Sequence, residues 1–393
     1  MIGKDEAREI ETRLAALEPP VLSVYADTDP ANPDNKGGAW RIRVKNALRE
    51  IPELQESDHR DLHRDVMDLV DDERPTARTV ALFAAKDARG KTLIERFDLQ
   101  VSLPVVDLRR GRVEARWGEP YLEPLLFALD EYQRAAVLTV QGARWRLFEF
   151  FLGEHEELSD AFGEVDEREW QELREAAKFL RSGRLARELQ PDRSGSVKDA
   201  AANKTEAWKR KLYRRLVGLV EKTLDARGID RLVLVGDPAE TATVASLFSG
   251  RYHRKIAALL PHPSDGSALD AAQVMEALTA AERRDEGRLL DEIREAPGLW
   301  GVDKVVEAIQ LGRTQVVVVP VQTEARIAYV PDAGLYAGTK EAAAKYGEPV
   351  EVPLRDHIFR LAASFGARLE FVDGETAERV EREFDGIAAL PRW

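Results

Sequence analysis

The chain has no cysteine, which excludes disulfides, thiolate metal sites, iron–sulfur clusters and a thiol nucleophile. Histidine is scarce: the six in 393 residues are too scattered for a zinc cage, and neither a metal nor an organic cofactor is expected. Long apolar runs are missing. The longest, around Val316 to Val321, is far below the roughly 20 residues that span a bilayer, so a soluble chain with no membrane partner is expected. The opening stretch MIGKDEAREIETRLAALEPP holds neither an apolar core nor a small-residue cleavage site, and no secretory signal is read from it. A cytoplasmic location is the expectation. A positive surplus is absent too: 58 Lys and Arg against 71 Asp and Glu leave a net charge of −13. That argues against coating nucleic acid through the whole surface and leaves room for local basic islands.

At about 100 to 200 residues per domain the length predicts two or three domains. Three β-rich signals set among helical patterns point to α/β and α+β domains in series, each a mixed sheet with packed helices. In the first, residues 1–124, PPVLSVYAD (Pro19 to Asp27) and VALFAA (Val80 to Ala85) read as neighbouring strands. Trp40 to Arg49 and His59 to Val70 have helical spacing between them, and Lys91 to Leu108 suggests further strand pairs. The second, residues 125–262, opens with a hairpin around Gly142 whose second strand alternates Arg144, Trp145, Arg146 and Leu147 and then changes phase at Phe148 and Phe150. A bulge and coverage on both faces are both consistent with that change. A helix over Thr205 to Arg227, ending at Gly228, precedes a strand at Arg231 to Asp237. The third, residues 263–393 after Pro261 and Pro263, carries helices at Ala268 to Ala296 and Trp300 to Leu311. The buried strand Gln315 to Val321 follows, then a helix and closing strand over Arg355 to Asp373.

Charge is unevenly placed. Arg181 to Arg215 holds eleven Lys and Arg against four Asp and Glu, a local +7, while Glu154 to Glu175 just upstream holds ten acids and two Arg. One reading is a solvated helix pair with internal salt bridges. The other is a phosphate-tracking surface, with Arg193, Lys198, Lys204, Lys209, Arg210 and Arg214 in or after the loop DRSGSVKDAAANK. A second island, DNKGGAWRIRVKNALR, sets Lys36, Arg41, Arg43, Lys45 and Arg49 against Asp34. Gly37 and Gly38 permit close backbone approach, and the helix start offers free N–H groups to an anion. Trp40 is either a core anchor or a stacking surface for a base.

Other patterns are weaker. His59 and His63 have the i, i+4 spacing of a metal face, but HRDLH lacks the glutamate of the zinc hydrolase motif and a third ligand. VGDPAET (Val235 to Thr241) has neither a Walker pattern nor the further glycines of a dinucleotide fingerprint, and reads as a strand-to-helix turn. No Ser/His/Asp order or G-x-S-x-G elbow is present.

In order and spacing these segments resemble the archaeo-eukaryotic class I release factor and Pelota family, especially bacterial homologues of the Balon-like ribosome hibernation type. The resemblance rests on VLSVYADTDP with GGAWRIRVKNALRE, on WGEPYLEPLLFALDEYQRAAVLTVQGARWRLFEFFLGEHEEL, on WGVDKVVEAIQLGRTQVVVV, and on the ending FDGIAAL (Phe384 to Leu390). It implies a tripartite protein in the ribosomal A site, the first domain toward the decoding centre and the second toward the peptidyl-transferase centre. Partners would be the rRNA of both subunits and an elongation-factor GTPase. Peptide-releasing members carry Gly-Gly-Gln before the basic helix, whereas DRSGSVKDAAANK has no Gln, and Gln190 in RELQPDR lacks the glycines. The stop-codon motif Asn-Ile-Lys-Ser is replaced by DNKGGAW. The resemblance therefore implies hibernation or rescue by occupancy, with no catalytic residue. The alternative is an enzyme, a peptidyl-tRNA hydrolase with a rebuilt loop using Ser194, Ser196 or Asn203.

Overall fold

Val21–Asp27 (β1) is buried at its first six positions, because the sheet it centres is covered on both faces. The computed structural model describes residues 13–14, 16–72, 76–103, 112–142, 144–163, 165, 167–168, 171, 195–264, 266–295 and 297–392, with no side-chain description over 195–208. Thr79–Lys86 (β2), Thr92–Leu99 (β3) and Val113–Gly118 (β4) complete an antiparallel sheet of order β3-β2-β1-β4. Residues 104–108, at the end of the expected strand region, lie outside the described residues. One face packs Leu22, Val24 and Ala26 against helices Ala39–Arg49 and Arg60–Asp72 through Trp40, Val44, Leu62 and Val66. The other stacks aromatic edges, Tyr25 with Phe83 at 5.9 Å and with Tyr121 at 5.8 Å. Helix Glu123–Glu131 follows β4.

Next come Ala135–Gln141 (β5), Arg144–Phe151 (β6) and Glu154–Glu157 (β7). With Arg231–Gly236 (β8) and Ile256–Leu260 (β9) they form a sheet of order β7-β6-β5-β8-β9, in which β5, β8 and β9 are parallel. The β5–β6 register is unbroken from Ala135↔Phe150 to Gln141↔Arg144, so the phase change in β6 is double coverage and no bulge. Phe148 and Phe150 pack under Val274 and Leu278, whereas Glu149 turns to the other face and is neutralised by Arg134 at 2.7 Å and Arg227 at 2.5 Å.

The long helix runs Gly195–Ala226, ten residues further upstream than its expected start. Gly195 and Ser196 favour a loop, but the Ala200–Ala202 run favours helix strongly enough to carry it through. Its stripe of Leu212, Leu216, Leu219 and Leu224 is buried against the sheet. The stop is as expected: Gly228 at φ 63°, with the Ile229 N–H donating to the Leu224 carbonyl at 2.9 Å. Gly236 is demanded by packing, since a Cβ there would sit 2.6 Å from the Val140 carbonyl oxygen.

After helix Ala271–Glu295, the residues read as a helix from Trp300 begin as a two-residue strand. Leu299–Trp300 (β10) pairs with Ala388–Pro391 (β16), and Gly301 at φ 85° turns the chain into helix Val302–Gln310. Thr314–Pro320 (β11) lies between β16 and Arg368–Val372 (β15), parallel to the latter. A separate antiparallel sheet comprises Arg326–Val330 (β12), Leu335–Ala337 (β13) and Val350–Pro353 (β14). Contacts group the chain into two units, Met1–Tyr132 with Arg283–Trp393, and Gln133–Glu282. Among the described residues no helix is long and apolar enough to cross a membrane.

Candidate nucleic-acid interface

The first basic island hangs on Asp27, the last residue of β1. Its carboxylate accepts hydrogen bonds from Asn35 Nδ2 and the Asp29 N–H at 3.0 Å on Oδ1, and from Asn32 Nδ2 at 3.0 Å and Arg112 Nη1 at 2.8 Å on Oδ2. Burial alone would raise its pKa, but the bonds from Arg112, Asp29, Asn35 and Asn32 outweigh it and hold the carboxyl below its ordinary value. The loop is thus fixed from within. Arg43 Nη1 donates to the Asp34 carbonyl at 2.9 Å and Nη2 to the Asn35 side chain; Arg41 Nε donates to the Val70 carbonyl at 3.0 Å. Gly37 and Gly38 adopt φ 67° and 78°, and a Cβ on Gly38 would meet the Arg41 guanidinium at 2.5 Å. Trp40 is 7% exposed and belongs to the core, which favours its anchor reading. Of the cations in this island, Arg41 and Arg43 are tied into the protein, while Lys36, Lys45 and Arg49 stand exposed.

The second island lies on the helix Gly195–Ala226. Arg193 is outside the described residues, and Lys198 and Lys204 have helical backbone without described side chains. Lys209 points back to the protein, 3.7 Å from Glu240 Oε1 and 5.0 Å from the Tyr213 ring centre. Arg210 and Arg214 are exposed, together with Lys211 and Arg215, and Arg210, Lys211 and Arg214 make no ion pair among the described residues. Helical spacing puts these four on the face opposite the buried Leu212, Leu216 and Leu219.

A clasp that the sequence did not reveal holds this face in place. Asp237 caps the helix Pro238–Ala245, accepting from the Ala239 and Glu240 N–H groups at 3.0 and 3.2 Å, so VGDPAET is a strand-to-helix turn. Glu240, thus oriented, accepts from the Tyr213 hydroxyl and from the Gly142 N–H at 3.2 Å at the hairpin tip. Tyr213 packs on Trp145 at 5.0 Å. Tyrosine within a run of cations was the available signal, but nothing in the sequence paired it with Glu240. His59 and His63 meet no third metal ligand among the described residues; His59 packs edge-on to Trp117 at 4.8 Å, and burial, then Arg49 and Lys45, lowers His63 below its ordinary value.

Residues 120–283 match the family model of bacterial archaeo-eukaryotic release factor family 10. This middle segment is thus similar to the bacterial release-factor group that the sequence resembles. No curated protein matches the chain. Among solved structures, the archaeal translation termination factor aRF1 shares 13% identity, covering 100% of this chain and 99% of that one, with a TM-score of 0.25. Archaeoglobus fulgidus Pelota shares 14% over 80% of this chain and 79% of its own, with a TM-score of 0.31. Saccharomyces cerevisiae Dom34 shares 11% over 80% and 81%, with a TM-score of 0.37.

Proposed function

We propose that this protein is a ribosome-associated translation factor that occupies the A site and acts in hibernation or rescue by exclusion, without releasing peptide. The observation that carries the reading is the face of Arg210, Lys211, Arg214 and Arg215, exposed on a segment that matches a release-factor family model. Phosphate contacts from such a face need no partner side chains in the free protein and yield salt-sensitive affinity. The proposal divides the chain into consecutive parts, 1–124, 125–262 and 263–393. Lys36 and Lys45 contact small-subunit rRNA, with the backbone of Gly37 and Gly38 close to a phosphate. The long helix, with Lys198 and Lys204, contacts rRNA of the large subunit, and an elongation-factor GTPase delivers the protein. Two weak sites on one chain reinforce each other through effective concentration.

Absence of hydrolysis follows from the missing Gln between Arg193 and Lys204. The test is co-sedimentation with ribosomes across a salt series, cryo-electron microscopy of the pelleted complex, and release of labelled peptide from a stalled complex. A-site density with no release supports occupancy; release abolished by Gln190→Ala establishes the hydrolase instead; no pelleting at low salt rejects both.

A further inference from the structure

In the first unit a cavity of about 570 Å³ is lined by Arg116, Tyr121, Glu123, Asp356, His357 and Phe359, with Glu119 and Arg360 among its exposed members. Its charges are paired with one exception. Arg116 donates to Glu114 at 2.9 Å through Nε and to Asp356 at 2.8 Å through Nη1, and Arg355 lies 3.8 Å from Glu114 and 3.7 Å from Asp356. Two guanidinium groups thus answer two carboxylates. Glu123 is the remaining carboxyl: it is 8% exposed, and its Oε2 has no hydrogen-bond partner among the described residues. The Tyr121 hydroxyl is in the same position on a residue 4% exposed, its ring fixed 3.4 Å beneath the Arg116 guanidinium.

A buried carboxyl oxygen and a buried hydroxyl with no hydrogen-bond partner among the described residues are costly, and both line the same space. Among the described residues no cation of the lining is left over to receive an anion, since Arg360 pairs with Glu119 at 3.3 Å. The wall therefore suits a ligand that brings positive charge and N–H donors, with Phe359 and Trp117 available to its apolar part.

We propose that this cavity binds a small organic cation bearing several N–H donors, an alkyl amine or guanidinium, held by the Glu123 carboxylate and the Tyr121 hydroxyl. The same chemistry is presented by a free amine and by the side chain of a partner's arginine or lysine. Burial, opposed by the hydrogen bond from its own backbone N–H and by Arg116 and Arg355, with Asp356 adding to it, pushes Glu123 up to about 8. Cation binding thus releases a proton below that pH. The other groups facing Glu123 do not mimic this titration: Tyr121 and Tyr25 are pushed upward by burial, Arg116 stays charged, and His357 is lowered by burial below its ordinary 6.5.

The test is calorimetric titration of the full chain with agmatine between pH 6.5 and 9, with inorganic phosphate as the anion control. Saturable agmatine binding is expected, its affinity rising by up to about tenfold per pH unit toward 8 and levelling above. Glu123→Gln should weaken binding at least about tenfold, and Tyr121→Phe severalfold, with melting temperature at pH 6.5 monitoring the fold. An acetylated Gly-Arg-Gly amide distinguishes the sources: tighter binding than agmatine assigns the site to a partner side chain, weaker binding to a free amine. No agmatine binding, a flat pH profile, equal affinity in Glu123→Gln, or preference for phosphate overturns the proposal. The pH profile of the unmodified protein decides if either variant fails to fold.

Discussion

Glu240 Oε1 receives the hydroxyl hydrogen of Tyr213. Its other oxygen, Oε2, receives the Gly142 N–H at 3.2 Å, so one carboxylate ties the long helix to the hairpin tip. Glu240→Ala should cost about 1 to 3 kcal/mol in denaturant unfolding by removing the acceptor that these two donors share. Lys209→Glu should also lower stability, because it sets a like charge against Glu240; loss of ribosome binding in that variant would not report on RNA contact alone.

Arg210, Lys211 and Arg214 give the cleaner test of the interface. Replacing all three with Gln should leave the melting temperature within a degree or two while flattening the salt dependence of ribosome binding. If three phosphate contacts are lost, the log–log slope should fall by roughly 2 to 3. An unchanged slope would show that this face points away from RNA.

For Trp40, the buried position predicts an effect on folding. Trp40→Ala should destabilise the protein by about 3 to 5 kcal/mol, seen as a lower denaturant midpoint, and Trp40→Phe should recover part of it. A variant of normal stability that binds ribosomes poorly would return Trp40 to the stacking role.

Two carboxyls shape the pH dependence in opposite directions. Glu123 is raised from 4.5 to about 8, so the folded state keeps a proton that the unfolded state gives up. Its favourable contribution is complete below pH 4.5 and is lost as pH rises toward 8. Asp27 is lowered from 3.8; its contribution is present above that value and disappears as pH falls through the folded pKa. Denaturant midpoints against pH should therefore lose part of their fall between pH 4.5 and 8 in Glu123→Gln and part of their acid slope in Asp27→Asn.

Much of the fold was legible because local patterns agree with it. The apolar run at Val316 to Val319 is a strand paired on both sides, and Gly228 stops the helix where its stripe ends. The expected loop over 192–204 is helix from Gly195 onward, because the three alanines at 200–202 outweigh Gly195 and Ser196 in helix propensity. The basic islands were visible as composition. Which cations remain exposed was not, because the partners of Arg41, Arg43 and Lys209 are set by tertiary contacts up to 31 residues away along the chain. The Asp27 hub draws on Arg112, 85 residues distant, and no spacing rule connects them.

The hairpin tip offers an unexpected reporter. Amides at the ends of two-stranded turns ordinarily exchange with solvent quickly, but the Gly142 N–H is held by a carboxylate that is itself held by a tyrosine on another element. Its exchange rate measures how often helix and hairpin separate, a local opening well below global unfolding in cost. If docking on a ribosome tightens the helix, slower deuterium uptake at this one backbone position will register the event without any label on the RNA.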